Sequence, residues 1–310
     1  MKILITGVHG FVGSNLVAYL SKDNEIYGLD IVSPDKDGVE KTYSWADLDN
    51  GLIPEVDAII HLAGKAHDTK NKSAADVYFK VNTGLTQKIY DYFLNSKAKK
   101  FVFFSTAKAA ADKVEGILTE DVTPSPVGPY GESKIKAEEY ILSHARSDKS
   151  FYILRPCMIH GPGNKGNLNL LYGVVSKGIP WPLGSFDNRR TMTSIGNICF
   201  VVEQLITKTI ESGIYNMGDD EPLSTNELID MICSVLGKKA HIWRLPKGMM
   251  TAVAKLGDIL HLPLNSERLR KLTENYISSN AKIKKALGVD KLPIEAKDGL
   301  IRTIKSFQNQ

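Results

Sequence analysis

The chain is expected to fold as an α/β protein: a doubly wound parallel sheet covered by helices on both faces, followed by a smaller C-terminal lobe. Three features point there. Short apolar segments alternate with helical ones over the first 155 residues. A glycine-rich turn joins the first apolar segment to the first helix. After Pro156 the texture changes to loops rich in Gly, Pro and aromatic residues.

The strand candidates are KILIT (2–6), EIYGLD (25–30), VDAIIHLA (56–63), KFVFFST (100–106) and FYILRP (151–156). Each is continuously apolar, as strands buried on both faces are, and that favours a parallel sheet. Helical patterns lie between them at 11–21, 73–95 and 130–147. Ligands of such sheets gather at the carboxyl ends of the strands. Farther on come the loops HGPGNKGN (160–167) and GIPWPLGSFDNRR (178–190), then helical STNELIDMICSVLG (224–237) and AVAKLGDIL (252–260). They read as a lobe closing over the strand ends, with no internal repeat.

Hydrophobic residues make up 43% and charged residues 24% of the 310, ordinary values for a soluble globular protein. The net charge is +4, and the densest basic runs, KAKK (97–100) and KIKK (282–285), suit solvated helix ends or loops better than a nucleic-acid surface. No apolar run reaches 18 residues and the N-terminus lacks a signal-peptide core, so no membrane contact is expected. Cys157, Cys199 and Cys233 are widely spaced, as reduced thiols of a cytoplasmic protein would be.

The turn ITGVHGFVGSNL carries Gly7, Gly10 and Gly13 between strand and helix. Glycines there permit a tight turn and close approach of a pyrophosphate, and the helix N-terminus offers amide donors and a positive dipole. Asp30 ends the second strand, 17 residues after Gly13, where a carboxylate accepts from ribose hydroxyls and repels a 2′-phosphate. No arginine follows it immediately, which favours NAD over NADP. The expected division is therefore a Rossmann-type NAD-binding domain at 1–160, joined by parts of 190–218, and a mainly substrate-binding lobe at 161–310.

In GPYGESKIKAEEY (128–140), Tyr130 and Lys134 share the inward stripe with Ala137 and Ile141. A lysine there is costly unless compensated. His61 and His67 invite a metal reading, but no carboxylate or cysteine has ligand spacing to either, so a satisfied core histidine and a pocket-wall histidine are expected. Trp181 and Trp243 suit stacking on a base or core packing equally.

Taken in order, the glycine turn, Asp30, HLAG (61–64), VNT (81–83), FFST (103–106), YGESK (130–134) and LRP…HGPG (154–163) resemble the extended short-chain dehydrogenase/reductase family of nucleotide-sugar epimerases, dehydratases and ketoreductases. NRR (188–190), GIYNMGDDEPLSTNEL (213–228) and NAKIKKALG (280–288) resemble its later part. KVNTG, GPGNKGN and PLGSFDNRR are most similar to enzymes of O-antigen and capsule polysaccharide pathways.

The resemblance implies that Tyr130 is the base at a sugar C4 hydroxyl, with Lys134 lowering its pKa and holding the nicotinamide ribose, and Thr106 sharing the proton. It implies cofactor contacts from Gly7, Gly10, Phe11, Val12, Gly13, Asp30, Ile31, Leu62, Ala63, Gly64, Asn82, Ser105, Tyr130, Lys134 and Pro156, with Ser105 facing the cofactor. It implies substrate contacts from Thr106, Asn167, Arg190 and Arg268, with Arg270 as a substitute for the last. A homodimer through helices 73–95 and 130–147 is implied too. Ala107 and Lys108 stand where 4,6-dehydratases of the family carry Asp-Glu, which disfavours dehydration. AAADKVEG (109–116) and SIGN (194–197) depart from the family pattern. The expected activity is NAD-dependent 4-epimerisation of a UDP-hexose or UDP-N-acetylhexosamine. The alternative is NAD(P)H-dependent reduction of a UDP-4-keto-6-deoxy-hexosamine. A redox-sensing binding protein of this fold would typically lack the tyrosine–lysine pair.

Overall fold

The computed structural model describes residues 1–32, 34–65, 74–164, 166–260 and 264–308. Its centre is a seven-stranded sheet built from β1 (Lys2–Thr6), β2 (Glu25–Leu29), β3 (Lys41–Tyr43), β4 (Ala58–His61), β5 (Lys100–Phe104), β7 (Ser150–Pro156) and β10 (Gly213–Met217). The order is β10-β7-β5-β4-β1-β2-β3 and every pairing is parallel. The chain winds outward from β1 through β2 to β3, then returns to β4 on the other side. The carboxyl ends of β1 and β4 thus flank the crevice where such sheets bind ligands.

Alternate residues of each strand feed two cores. Ile3, Ile5, Ile60 and Val102 pack with Leu16 and Val17 of the Phe11–Leu20 helix and Val201 and Leu205 of the Ile195–Thr207 helix. Leu4, Ile59, Phe101 and Phe103 pack on the opposite face with Ile89, Phe93 and Ile141. Both faces are dry, which is why these strands read as unbroken apolar runs.

Two helices differ from expectation. The segment expected as one helix over 73–95 is Ala75–Tyr78, a wide π-helical turn at Phe79–Gly84, then Leu85–Asn95. The helix expected over 130–147 is Pro129–Ser143. It stops short because Lys149, leading into β7, donates to the carbonyls of Phe93, Ser96 and Ala98 at 2.7–2.9 Å, which an extended helix could not reach. β3 and β10 add the two edge strands.

Two short pairings lie outside the main sheet, β6 (Ile117–Leu118) with β11 (Ile277–Ser278) and β8 (Met158–His160) with β9 (Met192–Ser194). The Asn167–Ser176, Thr225–Val235 and Ala296–Phe307 helices pack together through Leu168, Leu228 and Leu300. The Lys247–Leu260 and Ser266–Thr273 helices meet over Met250, Ala254 and Leu269. Among the described residues no helix is long and apolar enough to cross a membrane.

Candidate active site

The glycine turn closes as its spacing demands. Gly7 has φ +71°, donates to Leu29 O at 2.8 Å, and a Cβ on it would lie 2.9 Å from the Ala63 nitrogen. A Cβ on Gly13 would collide with the Gly7 carbonyl oxygen and lie 2.8 Å from that of Val8. The Phe11–Leu20 helix begins at Gly10 with no side-chain cap and no acid in its first turn, leaving its amides for an anion. Asp30 accepts from His9 N at 3.0 Å and Ile31 N at 2.7 Å, so the carboxylate stands against the glycine turn while Ile31 is exposed beside it. Over the turn, Gly161 packs on Ile195 and Phe11, and Asn15 donates to Pro162 O at 3.5 Å. A cradle that any Cβ would fill, an uncapped helix start and a carboxylate beside them fit a dinucleotide.

Behind the cradle runs a chain of buried hydrogen bonds that the sequence did not reveal. Thr86 donates to Asn82 O at 2.6 Å, so it must accept from His61 Nε2 at 3.0 Å. His61 Nδ1 then accepts from the Thr6 hydroxyl at 2.7 Å, and Thr6 accepts from Leu62 N and Ala63 N. His61 is thereby a neutral, satisfied core histidine, its pKa pushed well below the usual value by burial and then by Lys134. His67 lies outside the described residues. Among those described, no group of three or more His, Cys, Asp and Glu could hold a metal ion.

Asn82 sits in the wide turn and ties two elements together. Its Oδ1 accepts from Lys65 N at 2.7 Å, and its Nδ2 donates to Lys65 O and to Ser133 Oγ. Ser133 in turn donates to Tyr130 O at 2.9 Å. Gly64 lies so close that a Cβ there would stand 3.0 Å from Asn82 Oδ1 and 3.2 Å from Lys134 Nζ. The end of β4 and the tyrosine–lysine helix therefore face one another across a glycine.

Thr106, at the end of β5, caps the Ala107–Ala110 helix and hydrogen-bonds the Tyr130 side chain. Burial raises the pKa of Tyr130; Thr106 acts downward and Tyr78, whose ring meets it edge-on at 6.3 Å, upward. Lys134 donates to Phe104 O at 2.8 Å and lies 4.8 Å from the Phe103 ring centre. Burial lowers its pKa to about 8, against an upward pull from Glu138. The expectation is a tyrosine lowered by the lysine; its pKa is instead raised, burial being the largest cause.

Ser105 also differs from expectation. Its hydroxyl is bonded to Glu138 Oε1 rather than turned to the crevice, so its backbone alone is left for a cofactor. Pro156 is buried at the end of β7.

Among the residues expected to meet substrate, Arg190 Nη2 lies 3.5 Å from Glu274 Oε1, and Arg270 Nη1 lies 2.9 Å from Glu274 Oε2. Two guanidiniums thus share one carboxylate, and Arg270 also approaches Asp112 at 3.9 Å. Arg268, the expected second clamp, is exposed on the same helix; the residue brought beside Arg190 is its substitute, Arg270. Asn167 is exposed at the first position of its helix. Trp181 packs into the lobe, whereas Trp243 is exposed.

The two departures from the family pattern have structural uses. In AAADKVEG, Ala109 and Ala110 are buried, Ala111 O accepts from the Tyr276 hydroxyl, and Asp112 pairs with Lys108 at 2.8 Å. In SIGN, Ser194 N and Asn197 Nδ2 donate to Asp219, which His160 Nε2 also meets at 3.3 Å.

Comparison with known proteins shows the family and the fold. The NAD dependent epimerase/dehydratase family matches residues 3–218. UDP-glucose 4-epimerase of Vibrio cholerae is 31% identical over 272 residues, spanning 79% of this chain and 78% of its own. N-acetyl-alpha-D-glucosaminyl-diphospho-ditrans,octacis-undecaprenol 4-epimerase of Escherichia coli O157:H7 is 27% identical, over 79% of this chain and 75% of its own. The solved structure of MoeE5 in complex with UDP-glucuronic acid and NAD superposes on 100% of this chain and 99% of its own, with TM-score 0.77 at 20% identity, a likeness of fold. The chain belongs to the NAD-dependent epimerase/dehydratase family, and is an enzyme with NAD as its cofactor.

Proposed function

We propose that the protein is a 4-epimerase of a nucleotide sugar, a UDP-hexose or UDP-N-acetylhexosamine, with Tyr130 and Thr106 handling the C4 hydroxyl proton. The hydrogen bond between those two side chains, at the carboxyl end of β5, carries this reading. Gly7, Gly10, Gly13 and the amides of the Phe11–Leu20 helix start would hold the pyrophosphate of NAD, and Asp30 its adenosine ribose. Bound NAD supplies the acceptor and then the donor of the C4 hydride, and its positive ring favours the phenolate.

Tyr130 takes the hydroxyl proton as the C4–H bond is broken, and Thr106 holds the oxygen by sharing its hydrogen bond. The 4-ketone turns over, receives hydride on its other face and regains the proton from Tyr130. Lys134 holds the ribose, and its ammonium is kept nearby by the carbonyl of Phe104. Arg190 and Arg270 meet the diphosphate as guanidinium forks. On this reading the protein works in the cytoplasm as a homodimer through the helices at 75–95 and 129–143.

The alternative, reduction of a UDP-4-keto-6-deoxy-hexosamine, uses the same residues in one direction. A UDP-sugar panel with and without added NADH separates the two. Epimer formation without added cofactor supports epimerisation; stoichiometric NADH consumption assigns the reductase; neither, with all sugars, overturns both.

A further inference from the structure

The Lys247–Leu260 helix is apolar on two faces, and the fold uses only one. Met250, Ala254 and Gly257 are buried, the first two against Leu183 and Leu269. About a quarter turn round the axis, Met249, Val253, Leu256 and Leu260 form a ridge spaced four, three and four residues apart. They are 45%, 42%, 51% and 56% exposed, and Ile259 beside them is 74% exposed. Trp243, just before the helix, is 54% exposed although its backbone is tied to Trp181 at 2.8 Å.

The charge is concentrated at the same place. From Trp243 to Thr273, across both helices, the chain carries Arg244, Lys247, Lys255, Arg268, Arg270 and Lys271 against Asp258 and Glu267, a net of +4. The whole chain is also +4, so the remainder sums to zero. Asp258 bonds Ser266 at 2.9 Å, Glu267 pairs with Lys271 at 2.6 Å and Arg270 with Glu274 at 2.9 Å, so the basic side chains offered to a surface are chiefly Arg244, Lys247 and Lys255. Arg244, Lys247 and Lys255 are all exposed. An exposed apolar ridge with a tryptophan at one end and a basic surround is the composition of a helix that lies in a membrane interface.

We propose that this helix docks the protein on an anionic phospholipid bilayer, the ridge entering the headgroup boundary and the basic side chains meeting lipid phosphates. A second copy would set like charge on like charge. A nucleic acid would leave the ridge in water. The contact is peripheral, and it departs from the expectation of no membrane contact, which rested on the lack of a spanning run. The patch adjoins the candidate substrate side, because Arg270 of the second helix is the residue beside Arg190 and Glu274. Docking would place the substrate side close to the lipid headgroups.

The test is flotation of the full chain with phosphatidylglycerol–phosphatidylcholine vesicles and with pure phosphatidylcholine, alongside Leu256→Glu and Lys255→Glu. Both side chains are exposed, so unchanged melting temperatures are expected. The parent should float with anionic vesicles at least about tenfold better than with neutral ones, and lose this at high salt. Leu256→Glu should abolish flotation, Lys255→Glu should weaken it about tenfold, and Trp243 emission should shift to the blue only with anionic vesicles. Equal recovery with both vesicle types, or flotation unchanged in Leu256→Glu, overturns the proposal. A concentration-dependent oligomer that dissociates in Leu256→Glu overturns it too, assigning the ridge to a protein contact. Flotation needs no turnover, so it stands or fails apart from the sugar chemistry.

Discussion

Arg155 and Glu138 face each other in a space that water does not reach: Nη2 lies 2.5 Å from Oε2, with side-chain exposures of 1% and 0%. Nε bonds both carboxylate oxygens at 3.1 Å, and Ser105 bonds Oε1 as well. Glu138 stands one helical turn past Lys134 and sustains its charge. The pair therefore fixes the end of β5 and the lysine together.

Removing one partner leaves a buried charge without compensation. Glu138→Gln should destabilise the fold by about 3–5 kcal/mol. Glu138→Gln combined with Arg155→Met should recover a good part of the loss. Urea unfolding of the parent, both single variants and the double variant measures it; additive losses would contradict a coupled pair.

Tyr130→Phe keeps the ring that Tyr78 packs against and deletes the hydroxyl proposed as proton carrier. Turnover should fall about 10²–10⁴-fold, with bound NAD retained, read by absorbance after denaturation. Thr106→Val should cut turnover less steeply. Unchanged turnover in Tyr130→Phe removes the tyrosine from the chemistry.

Lys134 titrates near 8 in the folded chain, below its ordinary value, because burial disfavours its charge. Between about pH 8 and the unfolded value near 10.4, the unfolded chain binds the extra proton, so this group makes stability rise with pH across that window. Lys134→Met removes that slope. The variant's advantage in melting temperature at pH 7 should shrink by a few degrees towards pH 10. A gap independent of pH would show the lysine is not depressed.

Gly13→Ala forces a methyl onto the Gly7 carbonyl oxygen, whereas a Cβ on Gly10 would stand 3.2 Å from that atom with no other neighbour within 4 Å. NAD affinity should drop more than about tenfold for Gly13→Ala and less for Gly10→Ala, by calorimetric titration. Equal losses would mean the turn is not read through its glycines.

Arg270→Met should raise KM for the nucleotide sugar more than Arg268→Met does, because Arg270 shares Glu274 with Arg190. Steady-state kinetics of the two variants decides which guanidinium acts.

The inner strands and the glycine turn were legible because their signals are local: unbroken apolar runs, and three glycines at fixed spacing. Tyr130 and Lys134 were legible for the same reason. Edge strand β3 is only Lys41–Tyr43, too short to show a pattern. The polar networks were not legible, because topology sets their partners: Thr6 reaches His61 across 55 positions and Arg190 reaches Glu274 across 84. Single polar residues inside apolar runs, such as Thr6 in KILIT and Arg155 in FYILRP, were the available sign, since buried polar groups need partners. The orientation of Ser105 had no such sign, as either side of the strand end offers an acceptor or a ligand.

The wide turn at Phe79–Gly84 amounts to one residue more than a regular helix would hold there. Deleting that residue would let the segment run as unbroken α-helix, locally the cheaper geometry. It would also swing everything on one side of the cut by about 100°, carrying Tyr78 away from Tyr130 or Asn82 away from Ser133. A selection that rewarded heat resistance alone would thus favour shortening the chain at the place where the proposed active site leans on the surplus residue.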